Sequence, residues 1–216
     1  MNARAFNTTE TLADGETVRI RFLRPDDKDG LVGLFSRLSP KTIYQRFLGP
    51  RGNWTKKELE YLTDLDGRRR VSLVATLVRE GKERIVGLTS YMMAPGERYG
   101  RPELGIVVED AQQHRGIGTL LLQHLLEIAS AEGIVELEAH ILAENNRLVA
   151  PLAHLGPEVT RVIESGMTFV TFRTDAALEH VSGLVSSAKV DPGRLTFWRR
   201  FLGWVEGLRR RGAKRG

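Results

Sequence analysis

The chain contains no cysteine among its 216 residues. This excludes disulfide scaffolds, thiolate metal sites, redox motifs and cysteine nucleophiles, and it suits a reducing cytosol. Proline is sparse at 8 residues, and 41% hydrophobic with 27% charged residues is an ordinary globular composition rather than a disordered, collagenous or coiled-coil one. No stretch approaches the roughly 18 apolar residues of a spanning helix. The start, MNARAFNTTETLADG, has no apolar core of a secretion signal, so a cytoplasmic protein is expected, neither secreted nor integral to a membrane. The length suits one domain of about 150 residues with an extension. His114, His124, His140, His154 and His180 show no metal-ligand spacing and no accompanying acidic cluster, so ordinary core or surface roles and no metal are expected. A G-x-S-x-G elbow and internal repeats are also missing.

Charge is unevenly placed. The formal net charge is +5, yet residues 189–216 hold nine Lys or Arg against two acids, a net of +7, which leaves −2 for residues 1–188. The basic signal belongs to the tail and says nothing about the substrate of the main body. A nucleic-acid partner is disfavoured.

Residues 16–23 (ETVRIRFL) alternate as a strand does, and Pro25-Asp26-Asp27 opens a helix. Helical patterns follow at 39–48, with Ser39 as N-cap before Pro40, and at 54–65, with Thr55 as N-cap. Residues 70–79 and 84–93 are rich in β-formers and form a hairpin across residues 80–83. Another strand spans Glu103 to Val108, followed by a polar loop and an amphipathic helix from about Arg115 to Ala131, ended by Gly133. A strand at 134–142, a helix at 143–155 and two strands turning at Ser165-Gly166 complete the body. This order predicts an α/β fold with a mixed sheet and helices on its faces.

The segment Gln113-His114-Arg115-Gly116-Ile117-Gly118 lies between a strand and a helix. Backbone N–H groups there form a nest and the helix dipole adds positive potential, which suits phosphate. A dinucleotide fingerprint does not fit, because Leu121 stands where the third glycine belongs, and a P-loop does not fit, because Thr119 and Leu120 follow Gly118. A glycine-rich helix start with no ligand remains open.

Gln113-x-x-Gly116-x-Gly118 after a strand, with HILAENNRLVAPLAHLG downstream, resembles the GNAT superfamily of acyl-CoA-dependent N-acyltransferases. LADGETVRIRFLRPDD, LSPKTIYQRFL, YLTDLDGRRRVSLVA and PELGIVVEDAQQHRGIG resemble the GNAT domain of bacterial protein lysine acetyltransferases, over roughly residues 11–173. The resemblance implies a GNAT fold, with a mostly antiparallel central sheet of six to seven strands flanked by helices, and acetyl-CoA as co-substrate. The pantetheine arm would pair with the backbone of Ile106, Val107 and Val108. The pyrophosphate would take N–H bonds from Arg115, Gly116, Ile117, Gly118 and Thr119, with the Arg115 and Thr119 side chains as further donors. Asn145 would bond the pantetheine or thiol region, or else merely cap a helix. Glu103 would be the general base, or else an exposed charge at a strand end, and Val107 or Val108 N–H would meet the charge developing on the thioester oxygen. Two departures from the family pattern stand out: residues 148–155 hold Pro151 but no tyrosine to act as general acid, and Gly156 is followed by Pro157 rather than an aromatic.

These readings divide the chain into an N-terminal arm (1–10), a GNAT domain (11–174), a connecting segment (175–192) and a basic amphipathic helix with tail (193–216). In the last, Leu195, Phe197, Trp198, Phe201, Leu202, Trp204, Val205 and Leu208 share one half of a helix, opposite Arg199, Arg200, Arg210 and Arg211. Such a face could dock on the domain, on a second subunit in a homo-oligomer, or on an anionic membrane through residues 193–211. The expected function is acetyl transfer from acetyl-CoA to an amine, with protein lysine the favoured acceptor. A small-molecule amine, or a catalytically silent acyl-CoA-binding module, are the alternatives.

Overall fold

The computed structural model describes residues 6–52, 54–94 and 100–190. Eight strands form one sheet: β1 (Asn7–Thr11), β2 (Thr17–Phe22), β3 (Arg70–Arg79), β4 (Lys82–Met92), β5 (Glu103–Val108), β6 (Glu136–Leu142), β7 (Thr160–Glu164) and β8 (Met167–Arg173). Their spatial order is β1-β2-β3-β4-β5-β6-β8-β7. Every neighbouring pair is antiparallel except β5 and β6. Six helices accompany them among the described residues: α1 (Lys28–Ser36), α2 (Pro40–Phe47), α3 (Lys56–Thr63), α4 (Ile117–Ala131), α5 (Asn146–Leu152) and α6 (Thr174–Val190).

The sheet is buried on both faces at its centre, which is why β3 and β4 read as near-continuous apolar runs. On one face, Leu121, Leu125 and Leu126 of α4 pack on Val71, Leu73 and Leu77 of β3. On the other, Leu31, Leu34 and Phe35 of α1 pack on Val74, Ile85 and Val107. The long helix starts at Gly116 (φ +89°) and stops at Gly133 (φ +76°), both in the left-handed region that glycine adopts without strain. Ser39 accepts from Thr42 N–H at 3.2 Å and Thr55 forms a capping box with Glu58, so both short helices begin where their caps direct. The hairpin turn is tighter than expected: Glu80 (φ 51°) and Gly81 (φ 74°) suffice, and β4 begins at Lys82.

Three expectations are corrected. The sheet has eight strands rather than six to seven, because residues 7–11, of which 7–10 are expected within an arm, pair with β2 from Asn7↔Arg21 to Thr11↔Thr17. Residues 175–192, expected as a connection, fall largely within α6, whose Ala177, Val181 and Val185 recur every fourth residue and enter the core beside α4. Pro25–Asp27 is a single 3₁₀ turn, and α1 proper starts at Lys28. The amphipathic segment 193–216 lies outside the described residues. No helix among the described residues is long and apolar enough to cross a membrane.

Candidate active site

The site grows from a break in the sheet. β5 and β6 run parallel and pair only at Glu103↔Glu138, where Glu138 N–H donates to Pro102 O at 3.1 Å. Beyond that point β5 keeps β4 as its sole strand partner. Glu109 N–H donates to Val86 O at 2.8 Å, directly across the register. Partners that exchange bonds directly recur every second residue, so Val107 and Gly105 also point their backbone groups at β4. Leu104, Ile106 and Val108 turn theirs the other way, into the gap. Of the two N–H groups expected to face the thioester oxygen, the register therefore turns that of Val107 toward Leu88 and leaves that of Val108 toward the opening.

A cleft of about 380 Å³ occupies the gap. Leu104, Ile106, Val107 and Val108 of β5 lie along it, the turn after β5 and Gly116, Gly118 and Thr119 close one end, and Asn145, Pro151 and Leu155 form the opposite wall. Lys41, Gln45 and Arg46 of α2 and His180 and Leu184 of α6 complete it. The start of α2 is held in place by Asp110, whose carboxylate accepts from Ser39 N at 2.9 Å and from Ser39 Oγ and Thr42 Oγ1 at 2.8 Å each. Burial alone would raise the Asp110 pKa, but these donors outweigh it and hold the carboxyl below its ordinary value.

The glycine-rich turn faces the cleft as its sequence suggests. Gln113 Nε2 donates to Val108 O at 3.0 Å and ties the turn to β5. His114 takes a left-handed φ of 63° and Gly116 follows at 89°, which folds the backbone back on itself before the helix. No side chain caps α4 at Gly116, so its first N–H groups await an acceptor. A Cβ built on Gly118 would meet only Val108 Cγ2 at 3.7 Å and Ile106 Cδ1 at 3.8 Å, both ordinary contacts, so packing does not require glycine there. Ile117 itself is buried in the core and contributes only backbone. Thr119 lines the cleft.

Arg115 departs from expectation. Its guanidinium donates to Asp14 (Nε, 2.8 Å), Glu16 (Nη2, 2.7 Å) and Gln112. Two carboxylates of the β1–β2 turn thus neutralise it, and its side chain is committed to joining that turn to the loop before α4. Only its backbone N–H remains for an anion.

Asn145 stands at the N-cap position of α5, yet its side chain makes no capping bond. Its residue is buried and its Oδ1 has no hydrogen-bond partner. An unpaired buried amide oxygen costs roughly 1–3 kcal/mol, so the side chain is aimed at something other than the helix. Glu103 sits at the apex where β5 and β6 part, on the sheet face toward α2, with its side chain 51% exposed. It is not among the cleft-lining residues.

Arg46 was not anticipated. It lines the cleft, and its guanidinium lies against Gly105 so closely that a Cβ there would collide with it. Its Nε is buried without a partner. Burial holds its pKa below the ordinary arginine value, with the Glu103 carboxylate acting in the opposite direction. The missing side chain at Gly105, inside a run of β-formers, is the sequence signal of such a close approach.

A model of the acetyltransferase (GNAT) family matches residues 40–156, more than half of the chain and the whole of this cleft except its α6 wall. This chain is a GNAT-family acetyltransferase. It is 31% identical over 139 residues to acetyltransferase PA5475 of Pseudomonas aeruginosa, covering 64% of this chain and 74% of that one. The crystal structure of the GNAT domain of PAT from S. lividans is similar at 28% identity and TM-score 0.68, covering 77% of this chain and 96% of that domain. Salmonella typhimurium YncA, solved with its cofactor acetyl-CoA, shares the fold at 22% identity and TM-score 0.56, over 73% of this chain and 94% of that one.

Proposed function

We propose that this GNAT acetyltransferase transfers acetyl from acetyl-CoA directly to an amine, with a protein lysine as the favoured acceptor. The observation that carries the coenzyme is the alignment of three unmatched groups along one cleft. These are the free edge of β5 at Ile106 and Val108, the uncapped start of α4 at Gly116, and the unpartnered Asn145 Oδ1. An acyl-CoA carries the complementary set: amide groups for a strand edge, a pyrophosphate for a helix N-terminus, and further amide N–H donors for a carbonyl oxygen.

Acetyl-CoA supplies an activated acetyl thioester. In this reading the N–H groups of Gly116, Ile117, Gly118 and Thr119 hold the pyrophosphate, and the arm runs back along β5 toward Glu103. From Val108 to Glu103 is five residue steps, about 17 Å, which brings the acetyl end to the apex of the opening. Val108 N–H faces the opening but lies at the pyrophosphate end of this path; the gap-facing N–H groups of Leu104 and Ile106 stand nearer the acetyl end and oppose the charge that develops on the thioester oxygen. Glu103 takes the proton from the attacking amine, which is needed because a free lysine has a reference pKa of about 10.4 and is charged at neutral pH. The cleft-lining residues include no tyrosine. With an ordinary thiol pKa of about 8.5, the sulfur departs as thiolate and takes its proton from solvent.

The acceptor class rests on two supports: the resemblance to the GNAT domain of protein lysine acetyltransferases, and a half-exposed Glu103 open to a side chain projecting from another protein. Thiol release compared between lysine-bearing proteins and free polyamines tests it. A higher kcat/KM on the protein acceptors agrees with the proposal, and a higher kcat/KM on polyamines assigns a small-molecule acceptor instead.

A further inference from the structure

We propose that His140, held by Glu138, forms a proton relay behind Glu103 and restores its carboxylate after the amine has been deprotonated; this rests on the acetyl-transfer reading above. β6 runs parallel to β5, so the register that sets Glu138 beside Glu103 also sets His140 level with Gly105, at the mouth of the opening. Glu138 and His140 lie on the same face of β6, because Leu137, Ala139 and Ile141 point to the core on the other.

His140 Nε2 is 2.6 Å from Glu138 Oε1, and Nδ1 is 3.8 Å from Glu103 Oε2. A carboxylate accepts but does not donate, so a neutral imidazole in this position carries its proton on Nε2. Its Nδ1 lone pair then faces Glu103. Glu138 is itself fixed by Thr171 Oγ1, which donates to its other oxygen at 3.2 Å, and the imidazole packs against Phe169 with ring centroids 4.9 Å apart. The ring is therefore positioned from two strands, while Glu103 keeps the freedom to turn. A small torsional change in that half-exposed side chain closes 3.8 Å to hydrogen-bond distance.

The step balances without a further reagent. A charged amine gives up two protons on the way to the amide: the first passes to a Glu103 oxygen before attack, and the second passes to it as the nitrogen bonds to the acetyl carbon and the carbon–sulfur bond breaks. Each proton in turn moves from Glu103 to His140 Nδ1, which returns Glu103 to carboxylate. The imidazolium formed is flanked by Glu103 and Glu138, and it releases the proton to water across its own exposed part, 29% of the side chain. The departing thiolate takes a proton from the same solvent. His140 is a positioning and relay residue, acting through Glu103 rather than on the substrate. The other charged groups around this cluster are Arg46 from α2, which interacts with Glu103, and Arg101, which is paired at 2.6 Å with Glu136 and interacts with Glu138.

The test compares His140→Gln and Glu138→Gln with the parent protein in acetyl-CoA titration and in steady-state thiol release across acid to mildly alkaline pH. If the parent shows no amine-dependent thiol release, the underlying reading fails before any variant is compared. Given parental activity, both variants should bind acetyl-CoA as the parent does. His140→Gln should lose about 10-fold or more in kcat and give a pH–rate profile that differs in shape from the parent's. Glu138→Gln keeps an acceptor for Nε2 while removing the charge behind it, so it should fold and lose less. Parental kcat and profile in His140→Gln overturn the relay, as does a lowered kcat with the profile shape unchanged. Should His140→Gln fail to fold, a parental pH profile in Glu138→Gln overturns it instead.

Discussion

Substituting Gly118 by valine separates coenzyme binding from folding. The position is in the first turn of α4, its backbone is not in the left-handed region, and an added Cβ would meet only the Val108 and Ile106 side chains at 3.7 and 3.8 Å. The protein should fold, with a thermal midpoint close to that of the parent, because removing glycine offsets the lower helix propensity of a β-branched residue. The same branched side chain projects into the cleft where the α4 N–H groups converge, so a pyrophosphate could no longer approach them. Hydrogen bonds to a charged group contribute about 1.5–3 kcal/mol each. Losing one or two of them weakens acetyl-CoA binding by about 10-fold to 10⁴-fold, at about 1.4 kcal/mol per factor of ten. Isothermal titration on the variant, with a denaturation curve to show that it is folded, makes the comparison. Parental affinity in a folded Gly118→Val protein would refute the placement of the pyrophosphate at this turn.

Glu103→Gln should lower the acetyl-transfer rate by roughly 10²-fold or more at neutral pH with acetyl-CoA affinity unchanged, since it removes a base and not a binding group; matching pH–rate profiles in variant and parent would remove Glu103 from the mechanism. Asp27 lies under Arg21, whose guanidinium it meets at 2.7 Å, with side-chain exposures of 4% for Arg21 and 12% for Asp27. Burial alone would raise the Asp27 pKa, but the Arg21 pair and Arg24 N–H together hold it below its ordinary value. A depressed carboxyl adds stability that is fully present above its unfolded pKa of about 3.9 and fades as pH falls through the lower folded value. Asp27→Asn should therefore cost about 3 kcal/mol in urea unfolding at pH 7, the lower part of the range for breaking a buried pair because Glu83 still meets Arg21 at 3.3 Å. The gap from the parent should narrow below about pH 4, and a constant gap would contradict the assignment. Removing residues 193–216 should leave acetyl-CoA turnover intact while changing either oligomeric state or sedimentation with anionic vesicles; if neither changes, both the subunit and membrane readings of that segment fail.

Elements with a strong period or a firm cap are readable in the sequence: Ser39 and Thr55 start their helices, Gly133 follows the end of α4, and Ser165-Gly166 turns the last hairpin. Two others carried signals of the same kind. Asp14-Gly15 is a hairpin dipeptide, with Gly15 at φ 84°, joining β1 to β2. Ala177, Val181 and Val185 mark the buried stripe of α6 at helical spacing. In the site, the glycine-rich turn was legible because its chemistry is local, made of successive backbone N–H groups. The commitment of Arg115 to Asp14 and Glu16 was not, because those partners stand about a hundred positions away along the chain and meet it only once β1 and β2 have folded. The same holds for Arg46 over Gly105 and for His140 beside Glu103. Each contact depends on where β5 and β6 separate, and pairing that ends at a single residue leaves no periodic trace in either strand.

Acetyl transfer itself is tested most directly by incubating the protein with acetyl-CoA, with and without a lysine-bearing acceptor. Released thiol is followed alongside acetylation of the acceptor by mass spectrometry. Thiol release should depend on the amine and match the acetyl appearing on it. Tight acetyl-CoA binding with no turnover on any protein or small amine would contradict it, and would make this chain a sensor of acyl-CoA rather than a catalyst.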